Sequence, residues 1–312
     1  MRLLSPSFAA LTAGTFILYY LTPRRYRFLT LLAAGLLFFG SQGMPVLFGT
    51  AGDVLVCWLA GRVVEGRRES GRPGGGRQET LLFLGVQLAL FLCFHGRWPG
   101  FSFLTLLLSA YILDVYRGKL PAEKRLLPFA SFGLFFLPGS QGPVSRYQET
   151  GPQLLAGEGA DWPQICDSLR RILWGLLKKL VLADRLAIFV DRAYAGYGTL
   201  PAGTLWLAVL FYSIQIYADF SGCMDLVLGA AGLFGIRLPE NFRRPYLADS
   251  FQEYWRRWHI TMGAWFREYV FYPLAVSGRV IRWGRRLAAG ARTESGRRRA
   301  AALLPLLLTW LA

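Results

Sequence analysis

Charge is scarce in this chain of 312 residues, and histidine is scarcer: 17% of the residues are charged and only two are His. A soluble domain usually carries about a quarter charged residues. The apolar residues, 54% of the total, fall into separated runs of membrane-spanning length. That pattern predicts an all-α polytopic membrane protein in place of the two soluble domains that length alone would allow. The four cysteines, Cys57, Cys93, Cys166 and Cys223, include no C-x-x-C pair. This leaves no zinc spacing and no disulfide framework, and they read as small buried side chains. There is no P-loop and no dinucleotide glycine fingerprint; the glycine-rich Gly71–Arg77 lacks a following Lys-Ser/Thr and reads as a linker. Acid is also short against base, 19 Asp and Glu to 35 Lys and Arg, for a net charge of +16. In a soluble protein such an excess would suggest nucleic acid. Here the arginines sit in short loops between apolar runs, with no basic stripe interleaved with exposed stacking aromatics. They read as cytoplasmic loops facing anionic lipid headgroups, and nucleic acid is not expected as a partner.

The runs can be placed in order. Leu3–Leu21 has no cleavage pattern before Pro23 and is expected to be the first span, followed by Arg24, Arg25 and Arg27. Further runs cover Phe28–Gly40 and Pro45–Ala60. An Arg- and Gly-rich loop from Gly61 to Glu79 is expected next, then runs at Leu81–Phe94 and Phe101–Tyr116, and a basic stretch at Arg117–Arg125. Basic loops separated by pairs of spans put the N-terminus outside and the loops in the cytoplasm of a bacterial cell membrane. Leu126–Leu137 is too short to cross and ends in a turn-rich stretch, so a re-entrant element is expected. Leu169–Ala193 carries basic residues at helical spacing and is expected to lie as an interfacial helix on the cytoplasmic surface. Ile281–Arg299 reads as a second Arg-rich loop. Ala300–Ala312 begins a run that stops short of a crossing, so the chain is expected to be C-terminally incomplete.

Ionisable residues inside such runs are expensive and invite a functional reading. In IQIYADFSGCMD, Gln215 and Asp219 share a helical face. Asp219 reads either as a lining residue of an internal polar path or as a helix-pairing group. The stretch Asn241–Pro273 is the most unusual. Asp249-Ser250 with Glu253 forms a capping-box pattern, predicting one helix from about Phe251 to about Phe271, ended by Pro273. On that helix His259 shares a stripe with Trp255, Met262 and Phe266, Arg256 lies one turn earlier, and Gly263 leaves room beside the imidazole. A histidine can exchange a proton with a hydroxyl near neutrality, and a nearby arginine would disfavour imidazolium. The alternative is a structural histidine tying the helix to its neighbours. His95, in FHGRW, reads as interfacial.

The block NFRRPY, WRRWHI and WFREYVFYPL resembles the signature of the membrane-bound O-acyltransferase family. IQIYADFSGCMD, GLLKKLVLADRLA, YILDVYRG and QGPVSRY are similar to its bacterial branch, which includes alginate O-acetylases and the teichoic acid D-alanylation protein. The resemblance covers roughly Leu81 to the C-terminus. It implies one membrane domain over 1–312, with N-terminal spans in 1–125 and the family core in 126–312, built as a multi-helix bundle around a central funnel. It implies transfer of an acetyl or D-alanyl group from acetyl-CoA or an acyl carrier protein thioester to a hydroxyl of an extracellular polysaccharide or teichoic acid, with help from a partner protein. No bound cofactor and no metal are expected. His259 maps onto the first family histidine and is the catalytic candidate. Asn241, Trp255, Arg256, Trp258 and Asp219 are the substrate-binding candidates. The second family histidine, in a W-H-G element, has no counterpart, since no histidine follows His259. Acyl transfer by these 312 residues alone is therefore not expected, and a non-catalytic scaffold for an acyl carrier or partner subunit, or a cell-wall precursor transporter, stand as alternatives. A transporter would predict inverted repeats, and none is visible.

Overall fold

The computed structural model describes residues 3–71, 74–94, 97–98, 100–139, 141–287, 304–307 and 309. His95 and most of Ala300–Ala312 therefore lie outside the described residues. The chain divides into two compact units, Met1–Asn241 and Phe242–Ala312. Helices make up both, with no strand among the described residues.

The first unit begins with α1 (Pro6–Leu21), α2 (Arg27–Gly40), α3 (Met44–Glu69), α4 (Arg77–Phe94) and α5 (Phe101–Tyr116). Local signals start α1: Ser5 is its N-cap and accepts the Phe8 N–H, and Pro6 opens the first turn. The long helices α3 and α4, and later α10 (Ala202–Leu233), are long and apolar enough to cross a membrane, while α1 and α5 are apolar but shorter. The helix α3 continues through Gly61–Glu69, which composition suggested was loop. Val64 is fully buried, and the basic last turn is held by tertiary bonds: Arg68 donates to Val115 O at 2.6 Å and Arg67 pairs with Glu79 at 3.4 Å. Cations at a helix C-terminus also suit its dipole.

After α5 the chain forms α6 (Leu126–Gly133) and then a non-helical run in which Leu134, Phe135, Phe136 and Leu137 are all buried. This is the protein-lined element expected from its length. Gly35 of α2 permits it, because a Cβ there would run into Leu134 O. Two of the motifs meet close by. Glu123 offers its N–H to the Tyr111 hydroxyl at 2.9 Å and accepts from the Tyr147 hydroxyl at 2.8 Å, so YILDVYRG and QGPVSRY share one residue as a hub. The rings of Tyr111, Phe129, Phe132 and Tyr147 pack around it.

The unit continues with α7 (Tyr147–Ala156), α8 (Trp162–Leu176), a π-helical stretch at Leu177–Ala183 and α9 (Asp184–Ala195). This is the segment expected to lie on the cytoplasmic surface, and its burial pattern differs. Leu173, Trp174 and Val181 face outward and are well exposed, while Arg171, Lys178 and Lys179 turn inward to α10. The outer face thus mixes apolar Leu173 and Trp174 with the exposed Arg170–Asp167 pair, while the charges that turn inward find acidic partners. Small residues bring the two backbones together. A Cβ on Gly175 would meet Gly222 O at 2.7 Å, one on Gly229 would meet Ser168 O at 2.8 Å, and one on Gly232 would run into Ser168 Oγ.

The second unit holds α11 (Phe251–Arg257), α12 (Ile260–Phe266), a π-helical stretch at Arg267–Phe271, α13 (Tyr272–Val276) and α14 (Gly278–Leu287). Residues 281–287 of α14 take up the first part of the expected Arg-rich loop as helix, with Trp283 exposed.

The glycine contact gives a direct expectation. Gly222→Leu should overpack the α8–α10 seam and lower stability by about 1–3 kcal/mol, read as a lower thermal unfolding midpoint in detergent. Gly203→Leu, at an α10 position with nothing within 4 Å, should leave the midpoint in place.

Candidate active site

Two constellations of chemistry-bearing residues stand out, one in each unit. In the first unit an ion-pair ladder runs along the face that α10 presents to α8. Arg171 forks onto both carboxylate oxygens of Glu240 at 2.6 Å each and donates Nε to Asp225 at 3.0 Å. Lys178 pairs with Asp225 and donates to Ser221 Oγ at 3.0 Å. Lys179 bridges Asp219 at 2.6 Å and Asp184 at 2.7 Å. Lys178 and Lys179 are adjacent in sequence yet both reach α10, from the π-helical stretch. There the Asp184 N–H bonds Lys179 O, five residues back, and the wider turn re-aims the side chains.

Asp219 thus sits in this ladder, paired with Lys179, while Gln215 one turn earlier buries its Oε1. Asn241 ends the unit: it is buried, and its Nδ2 donates to Met224 Sδ at 3.3 Å.

The second constellation surrounds His259. The capping box forms as expected, with the Glu253 N–H donating to Ser250 Oγ at 3.1 Å, but the Glu253 carboxylate turns to Arg257 at 2.9 Å and Arg256 at 3.5 Å. The single helix expected over 251–271 is broken at Trp258–His259. Trp258 is extended, and His259 takes φ +47° and ψ +52°, the left-handed region, before α12 begins. The reason is a pairing that no local pattern encodes. Phe242 and Trp258 form an isolated antiparallel bridge, and the Arg243 N–H donates to Arg257 O at 3.0 Å. Arg244, on the other strand of that bridge, is also left-handed at φ +47°. These are the only two non-glycine residues with positive φ among the described residues. Each costs on the order of 1–3 kcal/mol and persists only where the surroundings enforce it.

The bridge is walled by aromatics. Trp258 stacks on Tyr254 with centroids 5.7 Å apart and meets Phe242 edge-on at 5.1 Å, and Tyr254 stacks on Tyr246 at 6.1 Å. Trp255 is more exposed, edge-on to Phe251 and Tyr254. The candidates Trp255, Arg256, Trp258 and His259 therefore share one turn of chain, but not the helical stripe with Met262 and Phe266. Gly263 does leave open space, with only Trp255 O as near as 4.0 Å to a Cβ placed there.

His259 is half-buried, and burial pushes its imidazole down to about 4. The cause is desolvation, whereas the Arg256 side chain is drawn to Glu253. The imidazole is thus neutral at pH 7, able both to accept and to donate one hydrogen bond. Among the described residues no cluster of three or more His, Cys, Asp and Glu could hold a metal.

Sequence reasoning missed Arg171, Lys178, Asp225 and Glu240 as partners of one network. The available signal was opposite charge in two neighbouring apolar runs, which at membrane depth demands pairing.

The family model described as MBOAT, membrane-bound O-acyltransferase family, matches residues 121–289, a stretch holding both constellations. A probable alginate O-acetylase AlgI of Pseudomonas putida is 32% identical over 283 residues, covering 82% of this chain and 58% of that protein. A peptidoglycan O-acetyltransferase of Helicobacter pylori is 32% identical over 199 residues, 55% of this chain and 38% of the relative. A teichoic acid D-alanyltransferase of Bacillus subtilis is 28% identical over 179 residues, 55% of this chain and 44% of the relative. The chain spans a little over half the length of the alginate O-acetylase relatives it matches.

Two measurements check this geometry. Arg171→Ala, which strands Glu240 and leaves Asp225 to Lys178 alone, should cost about 1–2 kcal/mol after discounting for partial exposure. Arg170→Ala, whose partner Asp167 is solvent-exposed, should leave the unfolding midpoint nearly unchanged. For His259 the folded imidazole titrates below its unfolded value of 6.5, so the unfolded chain binds the proton first. Stability is then complete above pH 6.5 and falls as pH drops toward about 4. His259→Asn, which keeps a residue tolerant of left-handed backbone, should remove that acid-side loss in midpoint-versus-pH curves.

Proposed function

The chain belongs to the membrane-bound O-acyltransferase family, and we propose that it moves an acetyl or D-alanyl group from a thioester donor on the cytoplasmic side to a hydroxyl of an extracellular polysaccharide or teichoic acid. The observation that carries the reading is the neutral His259 held in left-handed backbone inside the family-matched segment, beside an open approach at Gly263. Strain of this kind gathers at working sites, where the surroundings hold a side chain in one pose.

In this reaction the acceptor oxygen attacks the thioester carbonyl, a C–O bond forms, and collapse of the tetrahedral intermediate breaks the C–S bond and releases thiolate. The proton of the hydroxyl leaves as the C–O bond forms and ends on the departing sulfur, giving the free thiol. A neutral imidazole accepts a hydrogen bond from that hydroxyl and orients its lone pair toward the carbonyl carbon. Trp255 and Trp258 offer flat apolar walls, and Arg256, exposed at the same turn, offers a cation to an anionic donor or acceptor group.

The donor is acetyl-CoA or an acyl carrier protein, both acidic, and the basic balance of the chain complements them electrostatically. The protein sits in a bacterial cell membrane with its N-terminus outside and its Arg-rich loops in the cytoplasm. A partner protein delivers the polymer on the far side.

Membrane vesicles carrying the full-length protein, given labelled acetyl-CoA or labelled D-alanyl carrier protein, should transfer label to a polysaccharide or teichoic acid acceptor from one of the two donors. His259→Asn should cut that rate by about 10²-fold or more with the amount of folded protein unchanged. Undiminished transfer in this variant, or transfer from neither donor, rejects the reading.

A further inference from the structure

Away from both constellations, one carboxyl group is buried where no charge can be matched. Asp53 lies midway along α3 and Gln87 midway along α4, both helices long and apolar enough to cross a membrane. Asp53 is 6% exposed and Gln87 is 3% exposed. Gln87 Nε2 donates to Asp53 Oδ1 at 2.5 Å. The two remaining oxygens, Asp53 Oδ2 and Gln87 Oε1, are buried and have no hydrogen-bond partner among the described residues.

Among the described residues the surroundings supply no cation. On α3 the nearest charged residue along the chain is Arg62, nine positions on, about 13 Å along a helix. On α4 the nearest is Glu79, eight positions before Gln87. Of the elements packed against these two helices, α6 holds no charged residue, α5 holds only Asp114 and α2 only Arg27. The one other titratable group close by is Cys57, one turn along α3, whose thiol reaches Leu108 O at 3.7 Å. An ionised Asp53 would therefore be an unpaired anion at membrane depth. It would also leave two buried acceptors, Oδ2 and Oε1, on the bonded pair with no donor for either.

One change satisfies both oxygens together. A proton on Oδ2 converts that atom into a donor, and Gln87 Oε1 is an acceptor in want of one. The acid and the amide then exchange two hydrogen bonds in a closed ring, Nε2–H to Oδ1 and Oδ2–H to Oε1. We propose that Asp53 is a proton-binding site at membrane depth, carried as the neutral acid and paired through both oxygens with Gln87, and that this acid–amide ring locks α3 to α4. The ligand is the proton itself. The site is independent of acyl transfer, because none of its residues belongs to either constellation described above.

Infrared difference spectroscopy on the whole protein in detergent or lipid tests this. The wild type should show the carbonyl stretch of a protonated carboxyl at neutral pH, and Asp53→Asn should lose it. The Asn side chain can form the same two-bond ring with Gln87, so this variant should keep the wild-type unfolding midpoint. Gln87→Leu should keep the acid band but shift it to higher frequency, since the carbonyl loses its donor, and should lower the midpoint. Loss of a carboxylate band in place of an acid band in Asp53→Asn overturns the proposal. So does an acid band that Gln87→Leu leaves unmoved.

Discussion

One guanidinium ties together three parts of the chain that are remote in sequence. Arg171 reaches from α8 to Asp225 on α10 and to Glu240 in the stretch after α10, with both of its terminal nitrogens on the Glu240 carboxylate. A bidentate fork fixes direction as well as distance. The helices α8 and α10 come close where Gly175, Gly222, Gly229, Gly232 and Ser168 face one another, with Ile172 and Leu226 packed beside them, and apolar contact of this kind alone defines register weakly. The charges supply it. Lys178, which shares Asp225 with Arg171, and Lys179, which pairs with Asp219, extend the arrangement further along. The seam is thus close because its residues are small and specific because its residues are charged. A helix pair in lipid needs both, since lipid tails compete with any apolar contact.

That logic explains why the class of fold was legible and the placement of one segment was not. Separated apolar runs and short basic loops are direct consequences of bilayer thickness and of charge asymmetry across it, so they survive in composition alone. Leu169–Ala193 has basic residues at helical spacing, and this pattern is the same whether the charged face meets water or meets acidic partners inside the protein. Only the positions of Asp219, Asp225 and Glu240, on other segments, decide between them. Similarly, Gly61–Glu69 has the composition of a loop, and its helix is held by Arg67, Arg68 and buried Val64 through contacts that lie far along the chain.

The candidate site shows the same division more sharply. Its residues could be named from the motif, because WRRWHI and NFRRPY stand out against an apolar background. Its shape could not. Ser250 and Glu253 start a helix, aromatics continue its spacing, and no glycine or proline stands at Trp258–His259 to announce the break, the first being Gly263. The break at Trp258–His259 comes from pairing with Phe242 and Arg243, whose left-handed neighbour Arg244 mirrors His259. A left-handed histidine is a tertiary fact, since the local energy opposes it. It also means that the two motifs, read separately in the sequence, are the two strands of one object.

The wide turn at Leu177–Ala183 sets the rotational phase between α8 on one side and α9 on the other. A regular helix advances about 100° per residue, so removing a single residue from this stretch would leave hydropathy, charge and length almost untouched. It would nevertheless twist all of α8 by about that angle relative to α9. Arg171 would swing away from its carboxylates toward the outer face, and Leu173 or Trp174 would be carried toward the seam. The segment therefore tolerates changes of residue far better than changes of count, and its length is the quantity most tightly specified about it.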